Sequence, residues 1–223
     1  MKRSLLPILS ACGLALANLP CQAEEQTGKS LLANDSLDGW LAPDGSPAKA
    51  GGWTIENGVL TRAKNGAGDL WSAESYTDFE LSFDWQVTKG ANSGVKYHVL
   101  KQGKSPLGFE YQVLDDAEHV DGKKPATSAA ALYHVIPANS DKALKSVGEW
   151  NQGRIVVKGR HVEHWLNGAK VVDVTTEGAD WDAAVAKSKY AKNAAYGREA
   201  SGPIVLQDHG DVVSFRNLVI RRL

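Results

Sequence analysis

Residues 79–87 alternate without a break: Phe79, Leu81, Phe83, Trp85 and Val87 are apolar or aromatic, and Glu80, Ser82, Asp84 and Gln86 between them are polar. Successive side chains of an extended strand point to opposite faces, so this pattern predicts a half-buried strand and not an amphipathic helix. Residues 95–99 and 109–113 repeat it, with aromatic or branched side chains on one face and hydrogen-bonding groups on the other. Asn57-Gly58 separates residues 53–56 from 59–62, and this dipeptide tolerates the two positive φ angles of a type I′ hairpin turn. Gly159-Arg160 and Asn167-Gly168 join residues 155–158, 162–166 and 166–174 into a meander, with further strands expected at 204–207 and 212–221. One short helix is expected near residues 180–192, capped by Asp180, with Trp181, Ala184, Val185 and Ser188 on one face. Short alternating strands in this number predict an all-β fold: two antiparallel sheets stacked as a sandwich, one curved to leave a polar concave face.

No repeat or low-complexity linker divides the 223 residues, which read as a leader, 1–23, followed by a single domain, 24–223. Lys2 and Arg3, the apolar run after them and Cys21-Gln22-Ala23 form a signal peptide, with cleavage expected after Ala23. A minor alternative is a lipoprotein box, Leu9-Ser10-Ala11-Cys12, in which Cys12 would carry a lipid anchor. Either route predicts export to the periplasm or the cell exterior. Both cysteines, Cys12 and Cys21, fall in the leader, so the mature domain is expected to stand on its core without a disulfide. No later stretch is apolar for long enough to form a transmembrane segment. A formal net charge of -1 argues against nucleic acid or an anionic membrane as partner, and nothing in the chain marks its oligomeric state.

Chemistry concentrates in residues 108–116, where Glu110 and Gln112 share a strand face and Asp115 stands at its rim. Asp115, Asp116, His119 and Asp121 form an oxygen- and imidazole-rich loop able to offer ligands to a divalent metal, calcium or manganese before zinc. Their spacing fits no established signature, and a solvated loop is the simpler reading. Glu80 and Asp84 share a face, but a standard two-carboxylate glycosidase needs its acids across the scissile bond, and that arrangement is disfavoured. Among the histidines, His161 reads as a solvated turn residue, and His98, His134 and His164 as structural members of strands. His209, beside Asp208 in a polar tip, is placed either for proton transfer or for a self-bonded turn. Trp150-Asn151 and His164-Trp165-Leu166-Asn167-Gly168 combine ring faces with amide and imidazole groups, which suits a pyranose; core packing is the other use of such tryptophans. No phosphate loop and no serine elbow is present.

Asp38-Gly39-Trp40, Asp78-Phe79-Glu80-Leu81, Asn92-Ser93-Gly94-Val95, the block from Gly108 to Asp115, Ala131-Leu132-Tyr133, Gly148-Glu149-Trp150-Asn151, the block from His164 to Gly168 and the block from Gly202 to Gly210 follow one another in order. Together with Ser188-Lys189-Tyr190 and Phe215-Arg216-Asn217, they resemble the bacterial 3-keto-disaccharide hydrolase family over nearly the whole mature chain. The resemblance implies a concanavalin-like jelly-roll sandwich and a hydrolase or lyase that cleaves glycosidic bonds of 3-keto-glycosides. A carbonyl at sugar carbon 3 acidifies the hydrogen on carbon 2, so one base can drive elimination of the group on carbon 1, with polar donors or a metal stabilising the enolate. By the same resemblance Glu110, Gln112, Asp115 and His209 would be catalytic, with Glu110 or His209 as the base. Asn92, Tyr133, Trp150, Asn151, His164, Lys189, Gln207 and Arg216 would hold the carbohydrate substrate. A carbohydrate-binding module that turns nothing over is the rival from another class.

Overall fold

The structure, a computed structural model, describes residues 28–49, 51–63, 68–102 and 105–223; the expected signal peptide and lipid anchor, with Cys12 and Cys21, lie outside these residues. The chain first forms strands β1 (Lys29–Ser30), β2 (Trp40–Leu41), β3 (Trp53–Glu56), β4 (Val59–Arg62) and β5 (Leu70–Tyr76). Next come β6 (Phe79–Val87), β7 (Asn92–Gln102), β8 (Ser105–Leu114), β9 (Asn151–Lys158), β10 (His161–Leu166) and β11 (Ala169–Thr175). Helix α1 (Ala179–Ala186) precedes β12 (Gly202–Leu206) and β13 (Val213–Arg222). The larger sheet runs β11-β10-β9-β6-β13-β4-β3, with β1 also on β13, and the smaller runs β2-β5-β12-β7-β8. All these pairings are antiparallel, as the sandwich reading requires.

The core lies between the sheets. Phe79, Leu81, Phe83, Trp85 and Val87 of β6 are all buried, and so are Val95 and Tyr97 of β7 and Phe109, Tyr111 and Val113 of β8. Phe79 meets Tyr97 at 5.9 Å between ring centroids and Phe83 meets Tyr111 at 5.3 Å, both edge to face. Each such ring contributes roughly 1.5–3 kcal/mol by burial, and the edge geometry sets the positive rim of one ring on the negative face of the other. Two polar links cross the core: Tyr97 Oη to His164 Nε2 at 2.8 Å, and Tyr111 Oη donating to the Trp165 carbonyl at 3.1 Å. Asn57 (φ 52°) and Gly58 (φ 74°) both adopt the left-handed region at the β3–β4 hairpin.

Three local expectations change. The helix ends at Ala186 rather than near residue 192, and its N-cap is Gly178, with Asp180 inside the first turn. Ser188 accounts for the early stop, because its hydroxyl donates to the Val185 carbonyl and accepts from the Tyr190 amide, which diverts that amide from the next helical turn. His161 opens β10 and meets Asp173 at 2.7 Å instead of sitting in a turn, and His134 lies outside the strands, in a left-handed conformation at φ 67°.

Candidate active site

With Val95, Tyr97, Phe109 and Tyr111 facing the core, period two sends Lys96, Glu110 and Gln112 to the outer face of the smaller sheet. Lys96 stands directly across from Glu110, and Gly94 across from Gln112. On the other flank of β7, β12 sets Val205 beside Lys96, and the Gln207 amide bonds the Gly94 carbonyl at 3.0 Å. Gly94 is what lets these side chains converge: a Cβ there would stand 2.8 Å from both the Gln207 carboxamide and Glu110 Oε1.

Glu110 is more covered than an open strand face suggests, at 3% exposure, and its Oε2 lies 3.3 Å from Lys96 Nζ. In the orientation that satisfies its neighbours, the Gln207 side-chain amide donates to Glu110 Oε1 at 3.2 Å and accepts from Lys96 Nζ at 3.1 Å. His209 Nε2 lies 3.1 Å from the same amide nitrogen. Gln207 therefore ties Glu110, Lys96 and His209 into one network. The tip that carries His209 is anchored by Asp208, which accepts from Arg62 Nε at 2.6 Å, Gly68 N at 3.1 Å and Gly210 N at 2.9 Å. Burial alone would raise the Asp208 pKa, but those bonds outweigh it and hold the carboxyl below its ordinary value. Asp69, which accepts the Asp208 amide at 2.9 Å, goes the other way: burial raises its pKa against that bond and against the charges of Lys96 and His209.

The other wall comes from the segment after β8. The Tyr133 amide donates to the Glu110 carbonyl at 3.0 Å, and the Tyr133 hydroxyl donates to Asp121 Oδ2 at 3.0 Å. Burial, then the Asp121 charge, push the Tyr133 phenol well above its usual range, so it stays protonated at neutral pH. Lys189 places its ammonium over the Tyr133 ring at 4.1 Å. Asn92 adjoins the floor through Gln112, whose Nε2 reaches Asn92 Oδ1 at 3.4 Å. Gln112 Oε1 is buried and has no partner among the described residues.

The expected residues thus divide. Glu110, Gln112, Gln207, His209, Tyr133 and Lys189 gather on this face, with Asn92 at its edge. His164 does not reach it: the ring is fully buried between the sheets, with Nδ1 on the Ala130 carbonyl at 3.0 Å. Asn151 braces turns, accepting from Lys145 N and Asn167 Nδ2. Trp150 and Arg216 stack at 4.2 Å on the outer face of the larger sheet, where Arg216 also pairs with Asp84. An open depression of about 440 Å³ lies there, lined by Ser82, Asp84, Gln152, Arg154, Trp165 and Asn217 among others, with the whole core between it and Glu110. Glu80, on the same face, pairs with Arg154 and Arg221, so neither acid of that strand faces the Glu110 site.

Asp115 caps its own loop, taking Gly90 N and Ala117 N. Asp116 takes Ala129 N and Lys142, His119 Nδ1 takes Asp121 N, and Asp121 takes Tyr133. These groups are turned onto their own backbone and side-chain partners rather than toward a common point, so they do not fit a divalent ion. Among the described residues, the three-member group with metal-ligating geometry is His161, Glu163 and Asp173, and Lys170 already pairs with both of its carboxylates.

Sequence reasoning passed over Lys96 and Asp69. Lys96 had a usable signal, as the single cation on the polar face of an alternating strand; Asp69 had none, because only the pairing of β5 with β12 brings it near. A carboxylate, an imidazole and an ammonium group around one carboxamide can take a proton from carbon and stabilise the oxyanion that results.

Residues 28–221 match the family described as 3-keto-alpha-glucoside-1,2-lyase-like domain. A 3-keto-disaccharide hydrolase of Bacteroides thetaiotaomicron is 32% identical, with the match covering 96% of this chain and 84% of that protein. The crystal structure of a candidate glycosyl hydrolase from Parabacteroides distasonis superposes with a TM-score of 0.80 at 29% identity, over 88% of this chain and 94% of that one. A carbohydrate-binding module from Bacillus subtilis shares the fold alone, with a TM-score of 0.50 at 13% identity over 83% of this chain and 97% of that one. On a match that spans the whole sandwich, the chain belongs to the 3-keto-alpha-glucoside-1,2-lyase-like domain family.

Proposed function

We propose that this protein cleaves the glycosidic bond of 3-keto-disaccharides by removing the proton on carbon 2 and expelling the group on carbon 1, with water adding afterwards. The observation that carries this reading is the setting of Glu110: its carboxylate is held by an ammonium and a carboxamide, and the strand pair Glu80 and Asp84 faces the opposite side. One base and a set of oxyanion donors is what an acidified carbon–hydrogen bond requires, whereas direct hydrolysis of an unoxidised glycoside requires two opposed acids. In this reading Glu110 takes the carbon 2 proton, Lys96 and Gln207 aim its carboxylate, and His209 delivers a proton to the departing oxygen. The name of the Bacteroides relative and the description of the Parabacteroides structure support a glycoside-cleaving enzyme.

Glu110→Gln and His209→Ala, made separately, are each expected to lower kcat on a 3-keto-glucoside by at least about a hundredfold while substrate binding persists. Near-normal turnover in both, with loss on changing Asp115 or His119, would transfer the chemistry to the loop. Release of a plain disaccharide unchanged, with no consumption of its keto form, would mark a carbohydrate-binding module instead.

A further inference from the structure

His209 stands on a connection between the two sheets. Residues 207–212 leave β12 in the smaller sheet and enter β13 in the larger one, so the place of the imidazole beside the Glu110 network depends on how that crossing is held. The imidazole is itself exposed and meets Gln207 through Nε2. Its chain neighbours are tied down. The Gln207 carbonyl accepts from Ser93 Oγ at 2.9 Å, and Asp211 Oδ2 accepts from the Asn92 amide at 3.0 Å. The two residues next to His209 are both taken by Arg62. This arginine lies on β4 of the larger sheet, paired with Val213 of β13, and is 4% exposed. Its Nε donates to Asp208 Oδ1 at 2.6 Å and its Nη1 donates to the Gly210 carbonyl at 2.8 Å. One guanidinium thus grips the chain on both sides of His209.

A buried ion pair adds little net stability, because stripping water from both charges offsets their attraction. What the guanidinium adds is direction: its N–H groups are fixed in one plane, so two acceptors bonded to it are fixed relative to each other. Resting on the proton-delivery role given to His209 above, we propose that Arg62 is a positioning residue, which holds Asp208 and Gly210 so that the His209 imidazole stands where the departing oxygen is protonated. The clamp reaches from the larger sheet to a site built on the smaller one, and it thereby sets the His209 acid against the Glu110 base. Misplacing a reacting group by about 1 Å costs on the order of a hundredfold in rate. The bonds of Arg62 go to Asp208 and Gly210, so weakening the clamp should slow proton transfer more than it weakens substrate binding.

Arg62→Lys keeps the charge opposite Asp208 but lacks the planar fork that also holds the Gly210 carbonyl. It is expected to lower kcat on a 3-keto-glucoside by about tenfold or more, with KM within about twofold. The deciding measurement is the double-mutant cycle with His209→Ala. If Arg62 acts through His209, Arg62→Lys costs nothing further in the His209→Ala background, whereas a purely structural role costs the same in both. Asp208→Asn removes the partner charge at nearly constant size, repeats the cycle from the other side of the clamp, and serves where thermal unfolding shows that Arg62→Lys has not folded. Additive losses in either folded cycle overturn the assignment and leave the functional reading standing. Near-normal kcat in Arg62→Lys, or a loss confined to KM, overturns it too. If the unaltered protein consumes no 3-keto-glycoside, the functional reading falls and the positioning role falls with it.

Discussion

His164 shows how far tertiary surroundings can change what a side chain does. Its Nδ1 faces the Ala130 carbonyl and must carry the proton, so Nε2 accepts from the Tyr97 hydroxyl, and both ring nitrogens are committed to the neutral form. Burial lowers its pKa from an ordinary 6.5 to about 4. The folded chain then stays unprotonated at His164 down to that pH, while the unfolded chain takes up a proton near pH 6.5. Stability is therefore fully present above about 6.5 and declines as pH falls toward 4, by on the order of 3 kcal/mol from this group. Urea unfolding between pH 7.5 and 4.5 should show the decline, and His164→Gln should flatten it whatever it does to absolute stability; an unchanged slope would reject the account. The imidazole that sequence resemblance offered to a sugar is thus a bridge between sheets. His209, also beside polar groups in the sequence, is exposed and reaches the Glu110 network.

At the scale of strands, alternation alone showed that Glu110 and Gln112 share a face, but it could not say what stands beside them. That is set by register, Lys96 against Glu110 and Gly94 against Gln112, and by β12, which arrives about ninety residues later to lay Gln207 over Gly94. Gly94→Ala is a direct test of that convergence. Its methyl would press on the Gln207 carboxamide and the Glu110 carboxylate, so turnover should fall tenfold or more, about 1.4 kcal/mol in transition-state stabilisation, with little change in thermal midpoint. Normal turnover would show that the two side chains have room to part without consequence. The helix illustrates the opposite limit: apolar spacing in residues 180–192 indicated a helix and its buried Trp181, yet Ser188 and the Tyr190–Tyr196 stack decided where it stops.

For the whole molecule, two outer sheet faces compete for the role of site, and the polar residues of both look alike in one dimension. Asp84, Trp150 and Arg216 form a stacked and paired cluster on one; Lys96, Glu110, Gln207 and His209 form a network on the other. The leader carries its own expectation: intact mass of envelope material should begin at Glu24, and a mass beginning at an acylated Cys12 would replace cleavage with lipid anchoring. Strand alternation, the Asn57-Gly58 turn and the order of the family blocks were enough by themselves to determine the sandwich, its inward side chains and the class of chemistry, because period, turn conformation and block order are properties of the chain in one dimension. Only the tertiary structure decided that Lys96 and Asp69 join the network of Glu110, that His164 lies between the sheets, and that Asp115 and Asp116 bond backbone amides of nearby loops. Those facts depend on which strands pair, in what register and under what cover, and such contacts between distant residues leave no local pattern to read.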